Sequence, residues 1–88
     1  MRVDKKKFIY LISPNKIKKS FYTNLKIVLR SNIVSFFQLR LKKYSLIEKK
    51  KIGKKIKKIC KKYKVKLIVN DDPNLAKKIG ADGSHLGQ

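Results

Sequence analysis

The sequence has no tryptophan, a single cysteine and only five acidic residues among its 88 positions. One cysteine excludes a disulfide within the chain, and we expect Cys60 to be a buried structural thiol on the apolar face of a helix. No apolar stretch approaches the ~20 residues that cross a bilayer. The short apolar run at residues 8–12 is also smaller than a signal-peptide core. We therefore expect a cytoplasmic protein that does not span a membrane.

Basic residues are abundant in the sequence. The 25 lysines and arginines give a formal net charge of +20, a value that first suggests nucleic-acid binding. Only three of them are arginine, however, the residue favoured for bidentate phosphate contacts. The abundance of lysine, isoleucine and asparagine instead indicates compositional drift, with lysine filling solvated faces. We expect weak, nonspecific affinity for nucleic acid. A small lysine-rich α/β protein that binds nucleic acid or another polyanion without catalysis is the alternative.

Apolar runs of strand length recur along the chain. Residues 8–12, 33–39 and 65–69 predict buried strands, and the last of these is expected to be buried on both faces. A fourth, very short strand is predicted at residues 84–86. The spacing of these runs, roughly 30 residues, matches the size of a βαβ unit.

Helical patterns fill the intervals between the predicted strands. Apolar residues at helical spacing predict the first helix: Phe21, Leu25, Val28, Leu29. Asn32 follows them, at the position where a residue with a left-handed backbone would end the helix. Ser45 and Glu48 form a capping box. It precedes the stripe of the second helix: Ile52, Ile56, Ile59, Cys60, Tyr63. Pro73 and Gly80 bound a short third helix.

The predicted order is therefore β-α-β-α-β-α-β, in one domain over residues 1–88. Crossovers of this kind place the strands parallel in one sheet. Asn70 and Asp71 begin where one strand stops, and His85 lies near the end of the next. Polar groups at the carboxyl ends of parallel strands are typical of a ligand site in an α/β sheet or barrel.

Four motifs together carry a resemblance to a known family. They are Tyr10-Leu11-Ile12, then Gln38-Leu39-Arg40-Leu41-Lys42, then Ile68-Val69-Asn70-Asp71, then Gly80-Ala81-Asp82-Gly83-Ser84-His85-Leu86-Gly87-Gln88. In this order they resemble thiamine phosphate synthase, a family that includes thiazole-tautomerase-like relatives. Its members form a (β/α)8 TIM barrel. The resemblance implies that this chain is the first half of such a barrel, ending after the fourth strand.

The resemblance also implies an activity and a set of site residues. The family joins a hydroxymethylpyrimidine diphosphate to a thiazole phosphate and releases diphosphate. By similarity, His85 would be catalytic and Asp71 would be a ligand of Mg²⁺. The residues implied in substrate binding are Gln38, Arg40, Lys42, Asn70 and Gln88.

Several positions depart from the family pattern. Leu41 replaces a polar or acidic residue, Asp72 often an arginine, and Ser84 a strand hydrophobe. The family's second magnesium carboxylate and its later phosphate-binding loops follow the point where this sequence ends. We therefore expect the 88-residue chain alone to be inactive. It would be a truncation, a decayed gene, or a half-barrel completed by a second copy or a separate chain. Independently of the family, Asp71 and Asp72 could simply form a turn and a helix cap.

Overall fold

The computed structural model describes residues 9–85, in which four strands alternate with three helices. The elements are β1 (Ile9–Ile12), α1 (Lys19–Leu29), β2 (Val34–Leu39), α2 (Leu46–Lys62), β3 (Lys66–Asn70), α3 (Pro73–Ile79) and β4 (Gly83–His85). The order predicted from the sequence is confirmed. β4 begins one residue earlier than expected, and Phe8 and Leu86 lie outside the described residues.

The strands form one parallel sheet in the order β1-β2-β3-β4. Each strand pairs with its neighbour along the chain, so every helix is a crossover between adjacent strands. In register, Gln38 lies between Ile12 and Ile68, and Asn70 lies opposite His85. The polar residues that follow or end the strands therefore meet at one edge of the sheet.

The helix boundaries follow from local capping. Ser45 and Glu48 form the predicted capping box, in which the Glu48 N–H donates to Ser45 Oγ at 3.2 Å. Asn32 has the expected left-handed backbone, with φ of 63°. Gly80, with φ of 72°, ends α3 in the same conformation, which glycine adopts without a Cβ clash.

The core lies between the three helices and one face of the sheet. Its largest fully buried side chains are Phe37, Leu25, Leu29, Leu39, Ile56, Leu67, Leu75, Val69 and Cys60. Cys60 is 0% exposed, as predicted. Val28 was expected on the buried stripe of α1 but is 40% exposed. Since successive helical residues are about 100° apart, Val28 points away from the core that holds Leu29.

Two strands that were predicted to be buried are partly exposed on the opposite face of the sheet. We call this face the open sheet face; its strand residues are Tyr10, Ile12, Phe36, Gln38, Lys66, Ile68 and Asn70. Tyr10 and Ile12 are 55% and 51% exposed, and β3 alternates between buried and more exposed positions. Among the described residues all three helices pack on the other face, so β1 and β3 are covered on one side only.

Within residues 9–85 no helix has both the length and the apolar character needed to cross a membrane.

Candidate functional site

A cavity of about 220 Å³ lies beyond the carboxyl ends of β2 and β3. Its lining residues are Arg40, Leu41, Lys42, Lys49, Val69, Asn70, Asp71, Asp72 and Leu75. Four residues that the sequence analysis assigned to the site, Arg40, Lys42, Asn70 and Asp71, thus converge on one cavity. They do so because adjacent parallel strands deliver their following loops to the same edge of the sheet.

Arg40 is positioned by the loop that follows β1. Its backbone N–H donates to Ser13 Oγ at 2.8 Å, and the Ser13 hydroxyl donates to the Arg40 carbonyl at 3.4 Å. Ser13 is 6% exposed, so these hydrogen bonds are shielded from water. The N–H of Ser13 also donates to the carbonyl of Gln38 at 2.9 Å. The end of β1 therefore fixes the backbone from which the Arg40 side chain extends.

The β2–α2 loop is anchored on both sides of Lys42. Leu41 is 6% exposed and belongs to the core, which accounts for an apolar residue at this position. Further along, the Ile17 N–H donates to the Tyr44 hydroxyl at 2.8 Å and joins this loop to the one before α1. Lys42 itself is exposed, so its ammonium extends from a fixed backbone into solvent at the cavity.

The two neighbouring aspartates have different surroundings. Asp71 is exposed, has a left-handed backbone with φ of 58°, and its Oδ2 accepts from the Asn70 amide at 3.2 Å. Asp72 is the cap of α3, and its Oδ1 accepts from the Leu75 N–H at 2.9 Å. The cap interpretation therefore holds for Asp72. Asp71 presents its carboxylate to the cavity instead.

The oxygen atoms at the cavity are of the kind that a magnesium ion prefers as ligands. Mg²⁺ prefers oxygen ligands and is often held by one or two carboxylates together with substrate phosphates and water. Asp71 supplies a carboxylate at the cavity, beside the amide of Asn70. In residues 9–85 no group of three or more His, Cys, Asp or Glu side chains is arranged to hold a metal. A site here would thus depend on Asp71 and on oxygens from the substrate and solvent.

The remaining predicted residues lie beside the cavity or outside the described chain. His85 pairs in register with Asn70, and its carbonyl accepts from the Asp71 N–H at 2.7 Å, but its exposed side chain does not line the cavity. Gln38 is half-buried on the open sheet face. Gln88 lies outside the described residues. His85 is therefore attached to Asp71 through the backbone, at the rim of the site.

Two residues of the site were missed by the sequence analysis. Lys49 lines the cavity from the first turn of α2, and its Nζ lies 4.0 Å from Asp72 Oδ2. The sequence could have placed Lys49 at the site, because Lys49 directly follows the Ser45–Glu48 capping box. The first turn of a helix that follows a strand lies near the carboxyl end of that strand. Ser13 had no signal of its own; its partner is 27 positions away.

Asp82 has a structural role. Its Oδ2 accepts from the Leu67 N–H at 2.8 Å, and its own N–H donates to the Leu67 carbonyl at 2.9 Å. These bonds lie at the start of β3, at the end of the sheet opposite the cavity.

Comparison with known proteins gives a consistent result. The family model for thiamine monophosphate synthase matches residues 9–88. A thiamine-phosphate synthase of Pelagibacter ubique is 66% identical over 84 residues, which are 94% of this chain and 41% of that protein. A thiamine-phosphate synthase of Campylobacter jejuni is 38% identical over 82 residues, covering 91% of this chain and 39% of the relative.

The solved structures agree on the fold. A thiamine phosphate pyrophosphorylase from Pyrococcus furiosus superposes with a TM-score of 0.75 at 23% identity, over 88% of this chain and 37% of that one. The chain thus spans about two fifths of the length of the relatives that it matches. Its four parallel strands and three helices correspond to part of their TIM-barrel-like fold. On the sequence match, the fold and the shared motifs, this chain belongs to the thiamine monophosphate synthase family.

Proposed function

We propose that this chain forms the part of a thiamine phosphate synthase that binds the pyrimidine diphosphate substrate. The observation that supports it is the convergence of Arg40, Lys42, Lys49, Asn70 and Asp71 on one cavity. Three cations and two carboxylates line the opening, and one of the carboxylates, Asp72, is occupied as a helix cap. The cations and the Asp71 carboxylate suit a diphosphate accompanied by a divalent metal. The reaction would join a hydroxymethylpyrimidine diphosphate to a thiazole phosphate, with release of diphosphate.

The cationic side chains would act on the leaving diphosphate. The Arg40 guanidinium can fork onto two phosphate oxygens, whereas the ammonium groups of Lys42 and Lys49 act as point charges. As the bond between the pyrimidine methylene and the diphosphate breaks, negative charge gathers on the departing oxygens. Cations already placed at those oxygens stabilise that charge without further rearrangement. The hydrogen bonds from Ser13 to the Arg40 backbone support this placement.

Asp71 and Asn70 would hold the other components of the site. The Asp71 carboxylate would hold Mg²⁺, and the ion would supply positive charge to the leaving diphosphate. The Asn70 amide can hydrogen-bond to the substrate as well as to Asp71. His85, at the rim, and Gln38, on the open sheet face, would contact the reacting rings, and Gln88 is proposed as a further substrate contact.

A chimera tests this proposal. In it, the matching segment of the Pelagibacter ubique relative is replaced by this chain, and formation of thiamine phosphate from the two substrates is measured. We expect turnover in the chimera, and a loss of at least about 100-fold for Arg40→Gln, the size typical of a lost electrostatic contact in a reacting site.

Lys43→Gln is the matched control, because Lys43 is exposed and does not line the cavity. We expect it to leave turnover nearly unchanged. A chimera that folds but has no activity, or one in which Lys43→Gln and Arg40→Gln lose activity equally, would contradict the proposal.

We also propose a cytoplasmic location. Phosphorylated metabolites do not cross membranes unaided, so an enzyme that uses them must lie in the compartment where they are made. Cell fractionation with an antibody to the chain would test it. Affinity for nucleic acid is proposed to be weak, without sequence preference, and to fall steeply with salt.

A further inference from the structure

A second, larger cavity lies between α1 and α2, on the side of the sheet that the helices cover. It has a volume of about 400 Å³, and its lining residues are Tyr22, Lys26, Lys55, Lys58, Ile59, Lys62 and Tyr63. We call it the helix groove. Its volume is within the range of about 300–1,000 Å³ typical of small-molecule sites. Buried Ile59 forms an apolar base, and lysines and tyrosines form the walls.

The helix groove is separate from the site described above. Lys26 lies in the last turn of α1, and Lys62 and Tyr63 lie at the end of α2. The cavity beyond the carboxyl ends of β2 and β3 is lined by Lys49, in the first turn of the same helix. Lys55, the groove residue nearest to Lys49 along α2, lies six positions further on, about 9 Å along the helix axis. The two cavities have no lining residue in common.

The charge in the helix groove has one sign. Four of its lining residues are lysines and none is acidic. The only ion pair of the described chain joins Lys49 and Asp72, so no groove lysine has a carboxylate partner within residues 9–85. Four ammonium groups without counter-charges around one cavity favour an anion that carries several charges.

Two of the ammonium groups are held over tyrosine rings. Lys55 Nζ lies 4.9 Å from the ring centre of Tyr22, and Lys62 Nζ lies 5.6 Å from that of Tyr63. These cation–π contacts keep the two charges at the groove, where a free lysine side chain would extend into solvent. Burial, with a smaller contribution from Tyr44, raises the pKa of Tyr22.

We propose that the helix groove binds a free nucleotide with two or more phosphates. The phosphates would be bound by Lys26, Lys55, Lys58 and Lys62. The base would contact Ile59 and take the place of an ammonium group over one tyrosine ring. Aromatic rings bind bases of any sequence through stacking, and lysines bind phosphates as point charges. The cavity has room for a single nucleotide unit, which favours a free nucleotide over a strand.

Calorimetric titration of the chimera with ADP tests the proposal, with ADP compared against inorganic diphosphate and adenosine. We expect ADP to bind more tightly than either, because it alone has both the base and the phosphates. The double variant Lys26→Gln/Lys58→Gln should weaken ADP binding by about tenfold or more, the effect of losing a charge-assisted hydrogen bond. Circular dichroism would confirm that the variant is folded.

A second double variant, Lys54→Gln/Lys77→Gln, is the matched control. It removes the same charge from exposed positions of α2 and α3 that do not line the helix groove. ADP affinity that is unchanged in the control but reduced in the groove variant supports the proposal. Equal loss in both variants, a diphosphate affinity that matches that of ADP and falls equally in the groove variant, or an oligonucleotide binding more tightly than ADP would overturn it.

Discussion

Two adjacent carboxylates in the site have different tasks at the residue scale. Asp72 is occupied as the cap of α3 and lies near Lys49, whereas Asp71 faces the cavity on a left-handed backbone. The left-handed region is one that asparagine and aspartate enter more easily than most residues. A change from aspartate to asparagine at either position therefore removes charge without straining the chain.

The first prediction uses this difference. In the chimera, Asp71→Asn should lower turnover by at least about 100-fold, since the proposed metal loses its protein carboxylate. The unfolding free energy should stay within about 0.5 kcal/mol, as for other exposed substitutions. Asp72→Asn is the control, because asparagine also caps helices well, and it should affect turnover much less. Full activity of Asp71→Asn would remove Asp71 from the site.

Ser13 supports the second prediction at this scale. Ser13→Ala leaves the shielded Arg40 N–H without its acceptor, and we expect a loss of about 1–3 kcal/mol in unfolding free energy by urea titration. Ser31→Ala is the comparison, since its exposed hydroxyl donates to the Val28 carbonyl; its effect should stay within about 0.5 kcal/mol. Equal stabilities of the two variants would show that Ser13 does not hold Arg40.

The third prediction concerns Cys60. Burial, followed by the nearby Asp82 charge, raises the pKa of its thiol to about 12, against a smaller lowering by Lys57. In the unfolded chain the thiol ionises near pH ~8.5, so the unfolded state alone releases this proton as the pH rises. The Cys60 contribution to stability is therefore fully present below that pH and falls above it, by up to about 1.4 kcal/mol per pH unit.

Measurement of this effect needs a reference, because lysines and tyrosines titrate in the same range. Urea titrations between pH 7 and 10 on the natural chain and on Cys60→Ala would supply it. We expect the stability advantage of the natural chain over the variant to shrink above pH ~8.5. A constant difference between the two would mean that the thiol ionises equally in both states.

At the scale of elements, α2 and α3 approach each other at Gly53. A Cβ built on this residue would lie 2.8 Å from Cδ1 and 3.1 Å from Cγ2 of Ile79, closer than side chains normally pack. Glycine inside a helix is disfavoured by about 1 kcal/mol relative to alanine. Here the close approach of α3 explains why glycine is nevertheless suited to the position.

The fourth prediction tests this contact. Gly53→Ala should lower the unfolding free energy by about 1 kcal/mol, because overpacking outweighs the gain in helix propensity. In an Ile79→Val background, which lacks the Cδ1 atom, the same change should be neutral or stabilising. The double-mutant cycle by urea titration measures the coupling, expected at about 0.5 kcal/mol or more. Strict additivity would show that α3 moves away without strain.

At the scale of the whole molecule, the sheet is covered by helices on one face only within residues 9–85. Tyr10 and Phe36 stack on the open sheet face at 4.9 Å between ring centres, and Ile12 lies exposed nearby. Parallel sheets are normally covered on both faces, by helices or by the closed interior of a barrel. β1 and β4 are also edge strands in the described sheet, and exposed edges promote pairing between chains.

The fifth prediction follows from that face. We expect the 88-residue chain alone to be poorly packed or to self-associate, as a half-barrel lacking its complement would, and to form no measurable thiamine phosphate. Light scattering after size exclusion should show less association for Ile12→Lys. Ile47→Lys adds the same charge at a helix position that is 70% exposed and should change little. A cooperative monomer with synthase activity would contradict the prediction.

The sequence by itself was sufficient for the element order and for four residues that line the cavity beyond β2 and β3: Arg40, Lys42, Asn70 and Asp71. Both depend on local patterns: apolar runs, the Ser45–Glu48 capping box, Asn32 and Gly80 at helix ends, and polar residues directly after strands. Because parallel strands bring their carboxyl ends to one edge, these local positions already imply that Arg40 and Asp71 lie close together.

The tertiary structure decided what depends on contacts between distant parts of the chain. An apolar run such as residues 65–69 predicts a buried strand. Whether one face of that strand or both are covered depends on which other elements pack against the sheet. The bond between Ser13 and Arg40, the place of Lys49 at the cavity and the helix groove each join segments far apart in sequence. Such contacts are set by how whole elements pack, which no local pattern encodes.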